Sequence, residues 1–404
     1  MRYLNFVSCI YNSALNLIQF AMKNKTKWVL HIITLCALYF PFKSNAQENK
    51  AAAAIQQIMQ ENSVMGLSVA VVKNNKIVYA QSFGLKDAEK NTTLSNDNIF
   101  RIASISKSFS ATAIMQLVEA NKLNLDQDVS EFLGFKVRNP KFPETVITLR
   151  LMLSHLSSIN DDQGYFSLDS INPAKSANWE KCYNNYEPGK GYMYCNLNFN
   201  MIGTIIEKVS GERFDTYIQN HILKPLQLYG GYYVDGLDKA RFANIYEYRS
   251  DSAKFILSPN AYASRSAEIA AYQLGYSTPI FSPTGGMKIS ATDLATYMMM
   301  HANYGKYNGV RIISKNSAIQ MQTPLSDNRS YGFAIETTSK LIDGKKMIGH
   351  TGSAYGLFSA MFFNPDEKFG IVVISNGCHP GYSNGFNTVI RKTVNALYDN
   401  LIVK

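Results

Sequence analysis

Cysteine is scarce in this chain. Of five in 404 residues, only Cys182, Cys195 and Cys378 lie beyond the first 46. An odd count with no paired spacing excludes a disulfide framework and a cysteine-built zinc site. The three read as small buried apolar side chains. Runs of like charge are absent too. The formal net charge is +10, but the first 46 residues carry five basic side chains and no acid, leaving 35 basic against 30 acidic residues spread along the remainder. That excludes a nucleic-acid patch. There is no internal repeat and no low-complexity tract. A chain of this length, 46% hydrophobic, has material for one large domain or two modest ones.

Long hydrophobic runs are also missing, with one informative near-miss. From Met22 the chain has a basic stretch (Lys23, Lys25, Lys27), an apolar run from Trp28 to about Phe42, and small residues at Ser44 and Ala46. This is the three-part pattern of a secretory signal. The run of about 15 residues falls short of the ~20 that span a bilayer; an uncleaved anchor is the alternative. Residues 1–46 are therefore expected to be a leader with its true start at Met22, cleaved near Ala46. Residues 47–404 would then be the mature domain, secreted or periplasmic, with no stable membrane span.

Within the mature chain, 66–73 and 76–83 are apolar and β-branched, and Asn74-Asn75 between them suits a tight hairpin. Residues 104–121 switch to helical spacing, with Phe109, Ala113, Ile114, Leu117 and Val118 on one face. Further helices are expected at 148–156, 197–210 and 291–302, among loop-rich stretches at 159–190 and 228–282. Strands return at 333–338, 346–350, 359–363 and 370–375, before a last helix over about 386–402. Strands at both ends with helices between predict an α+β fold: an antiparallel sheet flanked by helices, with a mainly helical region inserted between its halves.

Three short motifs carry chemistry. Ser104-Ile105-Ser106-Lys107 is the one Ser-x-x-Lys in the chain. A serine is a poor nucleophile without a neighbouring base, and a lysine serves as one when desolvation lowers its pKa. Tyr194-Cys195-Asn196 sets a phenol that can relay protons beside an amide that can hold a lysine or a substrate. His350-Thr351-Gly352 closes a predicted strand, where His350 could polarise a substrate and Gly352 would let a ligand approach the backbone. Each is weak alone. A fourth pattern, Gly381-Tyr382-Ser383-Asn384-Gly385, has the form of a nucleophile elbow. However, Asp399 is the one acid that follows it and no histidine does, so it is set aside.

In this order the three motifs resemble the serine β-lactamase and penicillin-binding superfamily, nearest its class C β-lactamase, D-peptidase and esterase branch. The likeness runs over about 60–380 and includes "IFRIASISKSFSATAIMQL", "LRLMLSHLSSI", "PTGGMKISATDLATYM" and "HTGSAYG". It implies a β-lactamase/DD-peptidase-like fold and a serine hydrolase working through an acyl-enzyme, with no cofactor and no metal. By the same resemblance Ser104 is the nucleophile, Lys107 its base, and Tyr194 the proton relay. Asn196, His350, Thr351 and Gly352 are substrate-binding, and the backbone N–H groups of Ser104 and Ser353 form the oxyanion hole. Its partners would be small-molecule or peptide substrates, including cell-wall peptides.

Three departures matter. His350 stands where many β-lactamases have a lysine; a histidine holds a carboxylate less firmly at neutral pH, which favours D-peptide or ester substrates over β-lactams. Ser158 replaces a usual glycine, and Cys195 a usual serine. A true class C-type β-lactamase, and a penicillin- or cell-wall-peptide-binding protein with little turnover, are the two rival readings.

Overall fold

The computed structural model describes residues 46–325 and 330–403. The leader expectations fall outside the described residues. Among the described residues, no helix is long and apolar enough to cross a membrane. Contacts divide the chain between Ala53 and Ala54; of the first unit, residues 46–53 are described and are helical.

The second unit is organised by a seven-stranded antiparallel sheet. Its strands are β1 (Val64–Lys73), β2 (Lys76–Asp87), β3 (Thr92–Thr93), β4 (Glu336–Thr338), β5 (Met347–Ala354), β6 (Leu357–Asn364) and β7 (Phe369–Cys378), in the order β4-β5-β6-β7-β1-β2-β3. Strands from the two ends of this unit thus meet where β1 pairs with β7, as the sequence predicted. The β1–β2 hairpin turns on Asn74 and Asn75, both at positive φ (49° and 63°), the conformation that asparagine tolerates and a two-residue turn requires. Central strand β7 is buried along its whole length, and its residues Phe369 to Ile374 are accordingly apolar without alternation. Val372 and Ile374 share the main core with Met298 and Met299 of α4 (Ala291–Ala302). The terminal helix α5 (Thr388–Leu397) also packs on β7.

The expected strand over 333–338 is shorter. Ala334 takes a left-handed φ of 57°, which turns Phe333 and Ile335 into the core and delays β4 to Glu336. The Gly381–Gly385 pattern is no elbow. Tyr382–Ser383 pairs with Phe386–Asn387 across an Asn384-Gly385 turn, both at positive φ. Cys182, Cys195 and Cys378 are buried free thiols.

The inserted region holds α1 (Ser106–Glu119), α2 (Leu149–Leu153) and α3 (Asn196–Ser210). Its long loop over 228–282 is tied down by one buried carboxylate. Glu207 of α3 accepts from the backbone N–H groups of Phe214 and Gly275, both at 2.7 Å, from Thr278 Oγ1 at 2.8 Å, and from the Tyr272 hydroxyl. Removing it leaves three buried donors unpaired, each costing about 1–3 kcal/mol, and a half-buried hydroxyl without its acceptor. Glu207→Ala should therefore lower stability by roughly 3 kcal/mol or more in urea unfolding. A loss under 1 kcal/mol would show that the loop does not depend on this carboxylate.

Candidate active site

Ser104 sits in a short 3-10 turn, Ala103–Ile105, that runs directly into α1. Ala103 before it adopts φ 45°, a left-handed conformation that costs a non-glycine residue about 1–2 kcal/mol. The turn is held from two sides. Ile102 N–H donates to the Met287 carbonyl at 3.0 Å, and the Ile102 carbonyl accepts from Ser359 Oγ on β6 at 3.0 Å. On β5, a Cβ at Gly352 would come within 2.2 Å of the Ile102 carbonyl. The sequence reading reserved the space at Gly352 for a ligand, but it is filled by the chain's own serine turn.

Lys107 lies one helical turn on and is fully buried. Its Nζ contacts Ser104 Oγ at 3.1 Å, Asn196 Oδ1 at 2.9 Å and the Thr284 carbonyl at 3.0 Å. The rings of Tyr194 and Phe199 lie 4.7 and 5.6 Å from it. Burial pulls its pKa down to about 7, against the opposing charge of Asp161. Two of the three neighbours, the Asn196 and Thr284 carbonyl oxygens, can only accept. A neutral amine has two N–H groups to give them, so its lone pair is left facing the Ser104 hydroxyl.

The Asn196 amide faces Lys107 with its Oδ1 because Asp161 fixes its orientation. One Asp161 oxygen accepts from Asn196 Nδ2 at 2.9 Å and from its backbone N–H at 2.8 Å; the other accepts from the Leu197 N–H at 2.9 Å. Asp161 therefore also caps α3, satisfying donors that a helix start leaves open. A second support is His155. Its carbonyl accepts from the Met193 N–H and its Nδ1 from the Cys195 N–H, both at 3.0 Å, so the segment carrying Tyr194 is gripped on either side. The imidazole ring lies 4.3 Å from the Tyr194 ring. Burial, with Lys107 and His350 nearby, holds His155 neutral. The motif reading gave no role to Asp161, His155 or Thr284. Ser158, in place of the usual glycine, sits at φ 64°; its hydroxyl donates to the Tyr186 carbonyl at 2.5 Å and accepts from Asn139 Nδ2 at 2.9 Å.

Ser104, Tyr194, Asn196, Thr284 and Ser353 line one cleft of about 580 Å³. The Tyr194 hydroxyl is buried without a well-formed hydrogen bond, with Ser104 as a polar neighbour, and burial pushes its pKa above the usual tyrosine value. His350 is not on the cleft wall. Its Nδ1 donates to the Thr351 carbonyl and its Nε2 accepts from the Tyr331 hydroxyl at 2.9 Å. Burial and then Lys107 lower its pKa to about 3. Thr351 and Gly352 line a separate small recess with Ser353. Among the described residues no cluster of His, Cys, Asp or Glu is arranged to hold a metal ion.

Asp161→Asn places an amide N–H against the donors of Asn196 and should cut kcat about 10²-fold, since misplacing a reacting group by about 1 Å has that effect. It also removes a negative charge that raises the Lys107 pKa, so the acid limb of the pH–rate profile should move below about 7. An unchanged limb would reduce Asp161 to a helix cap.

The β-lactamase family model matches residues 51–394. A Staphylococcus aureus relative, protein flp, is 25% identical over 352 residues, 82% of this chain and 64% of the relative. The chain thus spans about two-thirds of that relative's length. Among solved structures, the octameric penicillin-binding protein homologue from Pyrococcus abyssi is 27% identical with a TM-score of 0.68, over 86% of this chain and 76% of its own. EstCE1, a hydrolase with promiscuous acyltransferase activity, shares the fold at 20% identity and a TM-score of 0.69, over 87% and 99%. With a match that covers the sheet, the inserted helices and all three motifs, the chain belongs to the β-lactamase family.

Proposed function

We propose that this chain is an exported serine hydrolase that cleaves amide or ester bonds through an acyl-enzyme on Ser104. The observation that carries the reading is Lys107: a buried amine with a pKa near 7, its two N–H groups committed elsewhere and its lone pair on Ser104 Oγ. Ser104 Oγ attacks the acyl carbon while its proton passes to Lys107. The carbonyl oxygen becomes an oxyanion held by the N–H groups of Ser104 and Ser353, where one such donor is worth about 3–4 kcal/mol. As the carbon–leaving-group bond breaks, the proton moves from Lys107 through the Tyr194 hydroxyl to the leaving group. Water then attacks the ester, giving its proton back along the same path and restoring Ser104. The two buried groups divide the labour: Lys107 is poised to lose a proton near neutrality, whereas Tyr194 keeps its own and relays.

D-peptide or ester substrates fit better than β-lactams. A β-lactam carries a carboxylate, and the neutral His350, with both ring nitrogens occupied, offers it no charge. Cell-wall peptides are the natural class of peptide substrate for an exported member of this family.

Three substrates decide the branch: a chromogenic cephalosporin, a p-nitrophenyl ester and a D-Ala-D-Ala peptide. Turnover should be lost in Ser104→Ala together with the acyl mass adduct. A stable adduct without turnover would favour the binding-protein reading, and no adduct with any substrate would overturn the proposal. Activity should also rise with pH through about 7 as Lys107 loses its proton. A rate independent of pH between 5 and 9 would remove Lys107 as the base.

A further inference from the structure

Two buried cations lie beside the cleft and have no part in the chemistry above. Arg101, three residues before Ser104, is 9% exposed. Its Nη2 donates to Ser282 Oγ at 3.4 Å, its guanidinium lies 5.2 Å from the Tyr355 ring centre, and its Nε has no partner. Lys288 is 2% exposed, and its Nζ donates to the Tyr232 carbonyl at 2.6 Å. Among the described residues, neither forms an ion pair. Leaving a buried charge unpaired costs several kcal/mol.

Both side chains face a second cavity, of about 400 Å³, which shares Arg101, Phe166, Ser282 and Tyr355 with the cleft. Arg265 adds a third cation to its wall. The carboxylate there, Glu268, is already held by Arg265 Nη1 at 2.8 Å. Asp235 and Asp215 act on Lys288 from further off; burial, Arg101 and Arg265 outweigh them and hold its pKa well below the lysine norm. A bound anion would reverse that balance. The remaining wall includes Val234, Pro279, Ile280 and Phe281, which suits an aliphatic stem.

We infer that this cavity is a subsite for a carboxylate borne on the acyl part of the substrate, gripped by the planar fork of Arg101 and completed by Lys288. The inference rests on the proposed acyl-enzyme reading, which also sets the side. The leaving group takes its proton beside Tyr194, which lines the cleft but not the second cavity, so that cavity falls to the acyl portion. A guanidinium presents paired donors that match a carboxylate, and a cavity of this size takes a chain of a few carbons.

The test compares two esters with the same leaving group on the full chain: the p-nitrophenyl monoester of glutaric acid and p-nitrophenyl valerate. The charged ester should show a kcat/KM at least tenfold higher. That ratio should collapse toward one in Arg101→Gln and be partly kept in Arg101→Lys, with melting temperatures recorded because the site is buried. A wild-type ratio at or below one, with Ser104-dependent turnover of valerate, overturns the subsite and leaves the hydrolase standing. If neither ester turns over, the hydrolase reading is what fails, and calorimetric titration with glutarate then judges the anion site alone. Binding lost in Arg101→Gln would sustain it; no binding to the wild-type chain would sink it.

Discussion

The site depends on taking one amine out of water. Lys107 is enclosed by Phe199, Tyr194 and the 282–286 loop, and burial shifts its pKa from 10.5 to about 7. The shift has a cost. Below about pH 7 Lys107 is protonated in the folded and unfolded chains alike, and the folded state bears the full desolvation penalty, on the order of 5 kcal/mol. As pH rises from about 7 toward 10.5, the folded chain holds the neutral amine while the unfolded chain still binds a proton, so this group then disfavours folding less and less. The fold therefore gives up stability at this position to hold an amine whose pKa lies near neutrality.

That exchange requires neighbours held by something other than Lys107. Asn196 is oriented by Asp161, which the α3 start holds in turn through the Leu197 N–H. Thr284 reaches Asn196 Oδ1 with its hydroxyl at 2.8 Å while its carbonyl takes Lys107. The serine turn is fixed by β5, β6 and Met287. Ser104 and Lys107 share one continuous helical run, and Asn196 and Thr284 reach them from two other elements. Each is anchored to the sheet or to a helix end, so the amine meets preformed partners instead of ordering them itself.

The sheet was legible in the sequence because its strands are β-branched and apolar and its turns carry asparagine. The boundary at 333–338 was not, because the left-handed Ala334 has no residue-level signature. Ser104, Lys107, Tyr194 and Asn196 were legible because their spacing is local. Asp161, His155 and Thr284 were hidden for the opposite reason: each acts on a residue 35 or more positions away, and Asp161 looks like any loop acid until the fold sets it against the start of α3. The buried anchor Glu207 had the same difficulty; one partner is Phe214, and the others lie at positions 272, 275 and 278 in a loop-rich stretch whose sequence gave no hint of order.

His350 marks where motif and environment part. In the motif it stands where a cation grips a carboxylate; in the fold its two ring nitrogens are spent on Thr351 and Tyr331, and charging it would mean bringing a second cation near Lys107 in a dry site. Two charges of one sign in low dielectric repel by several kcal/mol. Lys107 is the amine whose pKa lies near neutrality, and the histidine beside it stays neutral. The positive charge beside the site lies at Arg101, with Lys288 next to it able to gain charge when an anion binds, across Ser282 and Tyr355 from the serine. An amine with a pKa near 7 and a buried guanidinium thus lie beside neighbouring cavities rather than in contact.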